Sequence, residues 1–140
     1  MPTLPDSFEP HPARDASLAS MRAVEAGDKA AWLALFADDA VVEDPIGPSP
    51  LCPDGTGHRG AAAIEAFYDG VIGPNDVRFR IDQSWAAGDE VANVGTISTT
   101  MADGTVVHTD GVFTYRVDGQ GRVAALRAYW EMDRLRFGDA

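Results

Sequence analysis

The sequence predicts an α+β fold, in which three N-terminal helices pack on one face of a curved antiparallel sheet. Helix-spaced apolar residues are confined to the first half of the chain, and long segments typical of strands fill the second half. Glycine-containing turns separate the last of these segments, which is typical of strands that return antiparallel to one another. The helices and the sheet together form a cone, and the mouth of such a cone is a natural pocket for a small molecule.

The length and composition of the chain predict a single folded domain. The 140 residues, 45% of them hydrophobic and 9% aromatic, are enough for a real core and exclude a disordered chain. Residues 1–12 contain four prolines, and we expect them to form a flexible N-terminal arm. The domain itself is predicted to cover residues 13–140.

Two helices are predicted near the N-terminus. The first spans residues 15–26, and Gly27 stands where a glycine would end it. Asp28 is a good N-cap for the second helix, because its carboxylate can accept a hydrogen bond from an N–H group of the first turn. The apolar positions of the two helices are Leu18, Met21, Val24, Trp32, Leu33, Leu35 and Phe36.

A short strand over residues 40–44 is predicted next, since Pro45 has no N–H group and ends the pairing. Residues 45–60 are rich in turn formers and are predicted to be a loop. A third helix follows over residues 61–71, and one of its faces carries Ile64, Phe67, Tyr68 and Val71. Further strands are predicted at residues 76–84, 89–100, 105–117 and 122–132, with hairpin turns at 102–104 and 118–121.

Asp44 is the most informative residue of the first strand. Alternation puts its side chain on the face of Val42, opposite Val41 and Glu43. If that face looks into the core, the carboxyl is buried; burial raises the pKa of a carboxyl and marks a functional candidate. The alternative is an Asp–Pro turn in which the carboxylate caps local backbone, and spacing alone favours this turn.

Three segments carry a family resemblance over about residues 15–135. They read FADDAVVEDPIG, HRGAAAIEAFYDGVI and GRVAALRAYWEMD. This combination resembles the bacterial Δ5-3-ketosteroid isomerases and their relatives in the nuclear transport factor 2-like (SnoaL-like) superfamily. The resemblance implies the same cone-shaped fold, and it places Asp44 at the position of the general base.

The resemblance also implies further residues of the site. Trp130 falls on a pocket tryptophan whose indole N–H reaches the catalytic carboxylate, and Tyr68 falls on a tyrosine of the active-site hydrogen-bond network. Each has a plainer alternative. Trp130 could be an ordinary core tryptophan, and Tyr68 could be a tyrosine of an amphipathic helix with its hydroxyl at the rim. Alternation puts Leu126 on the same inward face as Trp130, and Phe67 and Phe113 complete the predicted apolar lining.

The sequence departs from the resemblance at two carbonyl-polarising positions. The isomerases use a tyrosine on the first helix and a protonated aspartic acid on a strand; here these positions hold Ser20 and Phe113. Asp110 comes three residues before Phe113 and is predicted to face the other side of the sheet. Ser20 is short and would need a water to reach a carbonyl, so Tyr68 is the better substitute donor.

Charge and composition limit the partners. The net charge of −11 argues against nucleic acid and anionic membrane surfaces. Cys52 is the only cysteine and allows no intrachain disulfide, and no signal peptide or membrane-length apolar run is present. We therefore expect a cytoplasmic protein. The histidines lack metal-ligand spacing, so no metal is expected. The resemblance implies a homodimer.

Three functions remain open. An isomerase would use Asp44 to move a proton next to the carbonyl of a steroid-like or polycyclic ketone, a reaction that needs no metal or organic cofactor. A carrier or sensor of apolar ring ligands would keep the cone without efficient chemistry. A different proton-transfer, cyclisation or hydrolase reaction could use the same scaffold. Asp44 favours an enzyme, whereas Ser20 and Phe113 favour the other two, and the balance leans to an isomerase-like protein.

Overall fold

A computed structural model describes residues 8–138, and these form three α-helices and seven strands. The helices are α1 (Pro12–Ala26), α2 (Lys29–Ala34) and α3 (Ala61–Phe67), and a π-helical turn (Tyr68–Ile72) continues α3. The strands are β1 (Phe36–Glu43), β2 (His58–Arg59), β3 (Asp76–Ala87), β4 (Glu90–Thr100), β5 (Val106–Val117), β6 (Val123–Tyr129) and β7 (Arg136–Phe137), with a 3-10 turn (Met132–Arg134) before β7. The predicted α+β class is confirmed.

The first helix starts earlier than predicted, at Pro12 rather than at residue 15. The Nδ1 atom of His11 accepts a hydrogen bond from the Ala13 N–H at 3.0 Å, and proline suits the first helical position. The other ring nitrogen of His11 lies 2.9 Å from the carbonyl oxygen of Gly88, which ties the helix start to the β3–β4 turn. Residues 1–7 of the predicted arm lie outside the described residues. The helix ends as predicted at Gly27, whose φ is 69°.

The second helix is shorter and the first strand longer than predicted. Asp28 caps α2 as expected, since its Oδ1 accepts a hydrogen bond from the Ala31 N–H at 3.0 Å. The helix ends at Ala34, however, and Phe36 already belongs to β1, where it pairs with Val123 of β6. The helical place predicted for Phe36 is wrong because pairing with the sheet takes the place of the last helical turn.

The sheet is mixed rather than wholly antiparallel. Its strand order is β2-β1-β6-β5-β4-β3, with β7 paired to β5. β1 runs parallel to β6, and the other pairs are antiparallel. The predicted all-antiparallel sheet is corrected here, because α3 returns the chain across the fold and β1 joins beside the last long strand. In this register Val42, Leu126 and Tyr115 form one row across β1, β6 and β5.

Two strands of two residues each were not predicted. β2 lies in the predicted loop over residues 45–60 and pairs with β1, and β7 lies near the C-terminus and pairs with β5. Both are too short to show the alternation on which strand prediction depends. β2 places His58 opposite Val42, close to the end of β1.

The core lies between the helices and one face of the sheet. α1 packs across β3, β4 and β5, and a buried polar pair joins it to β4: the Nδ2 of Asn93 donates to the Oγ of Ser17 at 3.0 Å. Fully buried side chains of this layer include Trp32, Val42, Ile64, Val91 and Val123. Among residues 8–138, no helix is long and apolar enough to cross a membrane.

Candidate active site

A cavity of about 410 Å³ lies between the helices and the sheet. This volume is within the range of about 300–1,000 Å³ that is typical of small-molecule sites. The predicted site residues that line it are Ser20, Asp44, Phe67, Phe113, Leu126 and Trp130. Met101, Met132 and Phe137 also line it and are exposed, so they mark its mouth.

Asp44 brings a carboxylate into this apolar cavity. It follows the last residue of β1, and its neighbour on the same face, Val42, is completely buried. The indole Nε1 of Trp130 donates a hydrogen bond to Oδ1 of Asp44 at 2.6 Å. Within the described residues no backbone N–H donates to this carboxylate, so the Asp–Pro turn with a capping carboxylate is not formed.

The pKa of Asp44 is raised above its ordinary value. Burial is the largest cause, because an apolar environment disfavours the charged carboxylate. The hydrogen bond from Trp130, and to a smaller extent a positive charge on His58, act in the opposite direction and lower the pKa of Asp44. His58 comes from β2, and its ring centroid lies 4.7 Å from that of Phe67. The net result is a carboxyl group that takes up a proton more readily than an exposed aspartic acid.

A pair of hydroxyl groups lies in the cavity wall near Asp44. The Oγ of Ser20, on α1, is 2.9 Å from the phenolic oxygen of Tyr115, on β5. The indole Nε1 of Trp32 donates to the same Oγ at 3.0 Å. Tyr115 lines the cavity and is buried, and sequence reasoning missed it. A signal was present, because Tyr115 is two residues from Phe113 and therefore shares its face of the strand.

Burial raises the pKa of the Tyr115 hydroxyl well above its usual range. The hydrogen bond with Ser20 opposes this rise, and the negative charge of Asp44 adds to it. The phenol therefore stays protonated at neutral pH and acts only as a neutral hydrogen-bonding group. Tyr115 and Asp44 line the same cavity.

Comparison with known proteins identifies the family of the chain. Residues 18–133 match the family model of the SnoaL-like domain, which is most of the chain. The chain belongs to the SnoaL-like family. This SnoaL-like chain is 35% identical to a steroid Delta-isomerase of Nocardioides simplex over 109 residues, which cover 77% of the chain and 80% of that relative.

Two solved structures are similar to this SnoaL-like chain over most of its length. A Δ5-3-ketosteroid isomerase from Mycobacterium sp. is 48% identical with a TM-score of 0.87, covering 91% of the chain and 98% of that protein. A Mycobacterium tuberculosis protein in complex with estradiol-17beta-hemisuccinate is 39% identical, also with a TM-score of 0.87, covering 91% of the chain and 100% of that protein. The predicted resemblance to ketosteroid isomerase-like proteins is confirmed.

Tyr68 is placed differently from the prediction. It is buried but does not line the cavity, and its ring packs against Trp32 with 5.4 Å between centroids. Burial raises the pKa of its hydroxyl first, and the nearby charges of Asp28 and Asp69 raise it further. The physical reason is helical geometry: adjacent residues point about 100° apart, so Phe67 faces the cavity and Tyr68 faces α2.

Asp110, the other carboxylate near the site in the sequence, lies outside the cavity. The carboxylate of Asp110 accepts a hydrogen bond from the Oγ1 of Thr96 at 2.7 Å and two from the guanidinium of Arg136 at 2.7 and 2.9 Å. The Arg136 hydrogen bond, followed by that of Thr96, holds the pKa of Asp110 well below its usual range. This agrees with the expected opposite face. In the part of the chain that the structure describes, no three His, Cys, Asp or Glu side chains converge in a metal-binding group.

Proposed function

We propose that this protein is a steroid Δ-isomerase that uses Asp44 as its general base. The observation that carries the proposal is a half-buried carboxylate that lines an apolar cavity and accepts a hydrogen bond from the Trp130 N–H at 2.6 Å. Such a base is preorganised by one hydrogen bond, and its raised pKa brings it closer to the pKa at which a base works well near neutral pH.

The reaction is an internal transfer of one proton. The Asp44 carboxylate removes a proton from the carbon between the ketone and the carbon–carbon double bond. The C–H electron pair becomes part of a dienolate, whose negative charge lies mainly on oxygen. The protonated Asp44 then returns the proton to the far end of the dienolate, and the double bond becomes conjugated with the ketone. The substrate and the product are isomers, so the reaction consumes no oxidant, reductant or cofactor.

The lining of the cavity supports a planar apolar ring system as substrate. Phe67, Phe113 and Leu126 offer hydrocarbon surface, and burial of apolar surface is worth about 25 cal/mol per Å². The names of the relatives support the steroid class, since one is a steroid Delta-isomerase and another was solved with estradiol-17beta-hemisuccinate. The homodimer and the cytoplasmic location stay predictions.

The test is turnover of 5-androstene-3,17-dione, followed by the absorbance of the conjugated enone product. We expect activity in the wild type and a loss of several orders of magnitude in Asp44→Asn. Asp39→Asn is the matched control, because Asp39 lies in the same strand and is exposed. Equal rates in Asp44→Asn and the wild type would contradict the proposal.

A second candidate function rests on Phe113. This apolar side chain occupies the wall position where the resemblance places a hydrogen-bonding acid, and that loss favours a carrier or sensor of apolar ring ligands. A carrier binds steroids with saturable quenching of tryptophan fluorescence but gives no enone product. If the wild type binds steroid saturably and forms no enone, the carrier function is supported and the isomerase function is contradicted.

A further inference from the structure

The hydroxyl pair of Ser20 and Tyr115 contains one hydrogen-bonding proton more than it uses. Each hydroxyl supplies one proton, and the 2.9 Å contact between them consumes only one of the two. The Trp32 N–H donates to a lone pair of the Ser20 oxygen, so it uses neither of the two hydroxyl protons. One O–H group in the cavity wall is therefore available to a ligand.

Two proton arrangements are possible, and both leave a donor. If Tyr115 donates to Ser20, the serine oxygen accepts two hydrogen bonds and its own proton is available. If Ser20 donates to Tyr115, the phenol proton is available, and Trp32, Ser20 and Tyr115 donate one after another in the same direction. Hydrogen bonds in such a series polarise and strengthen one another, and a phenol is a stronger donor than an alcohol. A carbonyl near Tyr115 selects the second arrangement.

We propose that Tyr115, supported by Ser20 and Trp32, donates the hydrogen bond that holds the substrate carbonyl and stabilises the dienolate oxygen. This assignment rests on the proposed function and names a catalytic residue for it. It places the donor on β5, at neither of the positions occupied by Ser20 and Phe113. Ser20 acts through Tyr115 and is a positioning residue.

The register of the sheet places Tyr115 on the correct side of the base. Asp44 follows Glu43, which pairs with Arg127, so it lies level with Ala128 and with Phe113 on the next strand. Tyr115 is two residues further along β5, about 7 Å from that level. The hydroxyl of Thr109, which also lines the cavity, is four residues in the other direction, about 13 Å away and towards the mouth. Tyr115 therefore serves the inner end of the cavity.

The two indole donors of the cavity wall are already engaged. The Trp130 N–H bonds the base itself, and the Trp32 N–H bonds Ser20. Phe113 has no polar atom. A ketone held by Tyr115 at the inner end leaves its ring system to extend along the apolar wall towards the mouth, with the carbon next to the ketone beside Asp44.

The first test compares Tyr115→Phe with the wild type in the isomerase assay. Loss of one preorganised donor at a developing oxyanion typically lowers kcat about 100- to 1,000-fold, and we expect this with little change in KM. Tyr129→Phe is the matched control, because Tyr129 is exposed and does not line the cavity. Tyr68→Phe tests the competing assignment from the sequence, and a loss confined to Tyr68→Phe overturns ours.

The second test reads the hydrogen bond without catalysis. Testosterone has a single carbonyl, and labelling that carbon with ¹³C allows its infrared stretch to be resolved in the bound state. We expect the stretch to lie at lower frequency in the wild type and in Tyr129→Phe than in Tyr115→Phe. A merely structural role of Tyr115 leaves the frequency unchanged.

The outcomes separate this inference from the proposed function. Wild-type kcat and an unchanged carbonyl stretch in Tyr115→Phe overturn the inference and leave the isomerase standing. If the carbonyl stretch shifts only when Tyr115 is present, and the wild type gives no enone, the proposed isomerase function is overturned and the assignment of Tyr115 as the donor is supported. A wild type that binds no testosterone overturns both.

Discussion

The Asp44 carboxylate is subject to two opposing influences, burial that favours its neutral form and the Trp130 hydrogen bond that favours its charge. Burial is the stronger, so the folded protein binds this proton more tightly than the unfolded chain does. Asp44 therefore costs stability at every pH above its folded pKa. The cost shrinks as the pH falls towards the ordinary pKa of aspartic acid, where both states are protonated.

The first prediction follows for Asp44→Asn. The amide is neutral and its oxygen still accepts the Trp130 N–H, so the variant should be more stable than the wild type at pH 7. Urea denaturation at several pH values measures the difference, which should narrow in acid. A variant less stable than the wild type at pH 7 would show that the carboxylate has a structural role.

A second prediction concerns Trp130→Phe. The substitution removes the N–H that lowers the pKa of Asp44, so that pKa should rise further. The acidic limb of the kcat/KM profile for 5-androstene-3,17-dione should then move to higher pH. Trp85→Phe is the control, because Trp85 is 68% exposed and does not line the cavity. If the acidic limb of the kcat/KM profile stays in place in Trp130→Phe, the indole N–H does not control the pKa of the base.

Where alternation and resemblance agree, the sequence and the structure put the same residues in the cavity, and the catalytic roles of these residues stay predictions. Both indicators brought Asp44 and Trp130 to one cavity, where the structure also places them. Tyr115 was missed, because its importance depends on a hydroxyl partner that lies 95 residues away in the chain. Tyr68 was misplaced, since the resemblance names a position and the local helix geometry decides where the hydroxyl points.

At the scale of elements, α1 ends at a position that only glycine occupies without strain. Gly27 has a φ of 69°, and space for a side chain is open there, with nothing within 4 Å of an added Cβ. The third prediction is that Gly27→Ala costs about 1–2 kcal/mol through backbone conformation alone. Gly70→Ala is the matched control, with equally open space and no positive φ, and should cost nothing. Equal stability of the two variants in thermal unfolding would refute the argument.

Elements with strong periodicity were predictable, and their partners were not. The long strands β3 to β5 agree with the prediction within a few residues, because hairpin turns connect neighbours in sequence. The pairing of β1 with β6 has no local signal, since residues 44–122 lie between the two strands. β2 and β7 were missed for the different reason that two residues show no pattern.

At the scale of the whole molecule, the cavity is lined mainly by apolar side chains of the core. A steroid that fills it adds apolar contacts to the folded state alone, so the protein should be stabilised by about 2.7 kcal/mol when the ligand is present at 100 times its Kd. The fourth prediction is a corresponding rise in Tm with testosterone. Leu126→Gln puts an amide into the cavity wall and should abolish the rise, whereas Leu33→Gln, outside the cavity, should keep it. A rise that survives in Leu126→Gln would place the ligand elsewhere.

The parallel pairing of β1 with β6 has a consequence for how this molecule acquires its chemistry. Asp44 and Trp130 are 86 residues apart in sequence, and their hydrogen bond requires the first strand and the last long strand to meet. Contacts of such high sequence separation pay the largest loop-closure entropy and form slowly during folding. In a partly folded chain the β3–β5 meander can therefore be formed while Asp44 and Trp130 are still apart. We expect ligand binding during refolding to appear after most of the sheet has formed, so that only a completed chain captures its ligand.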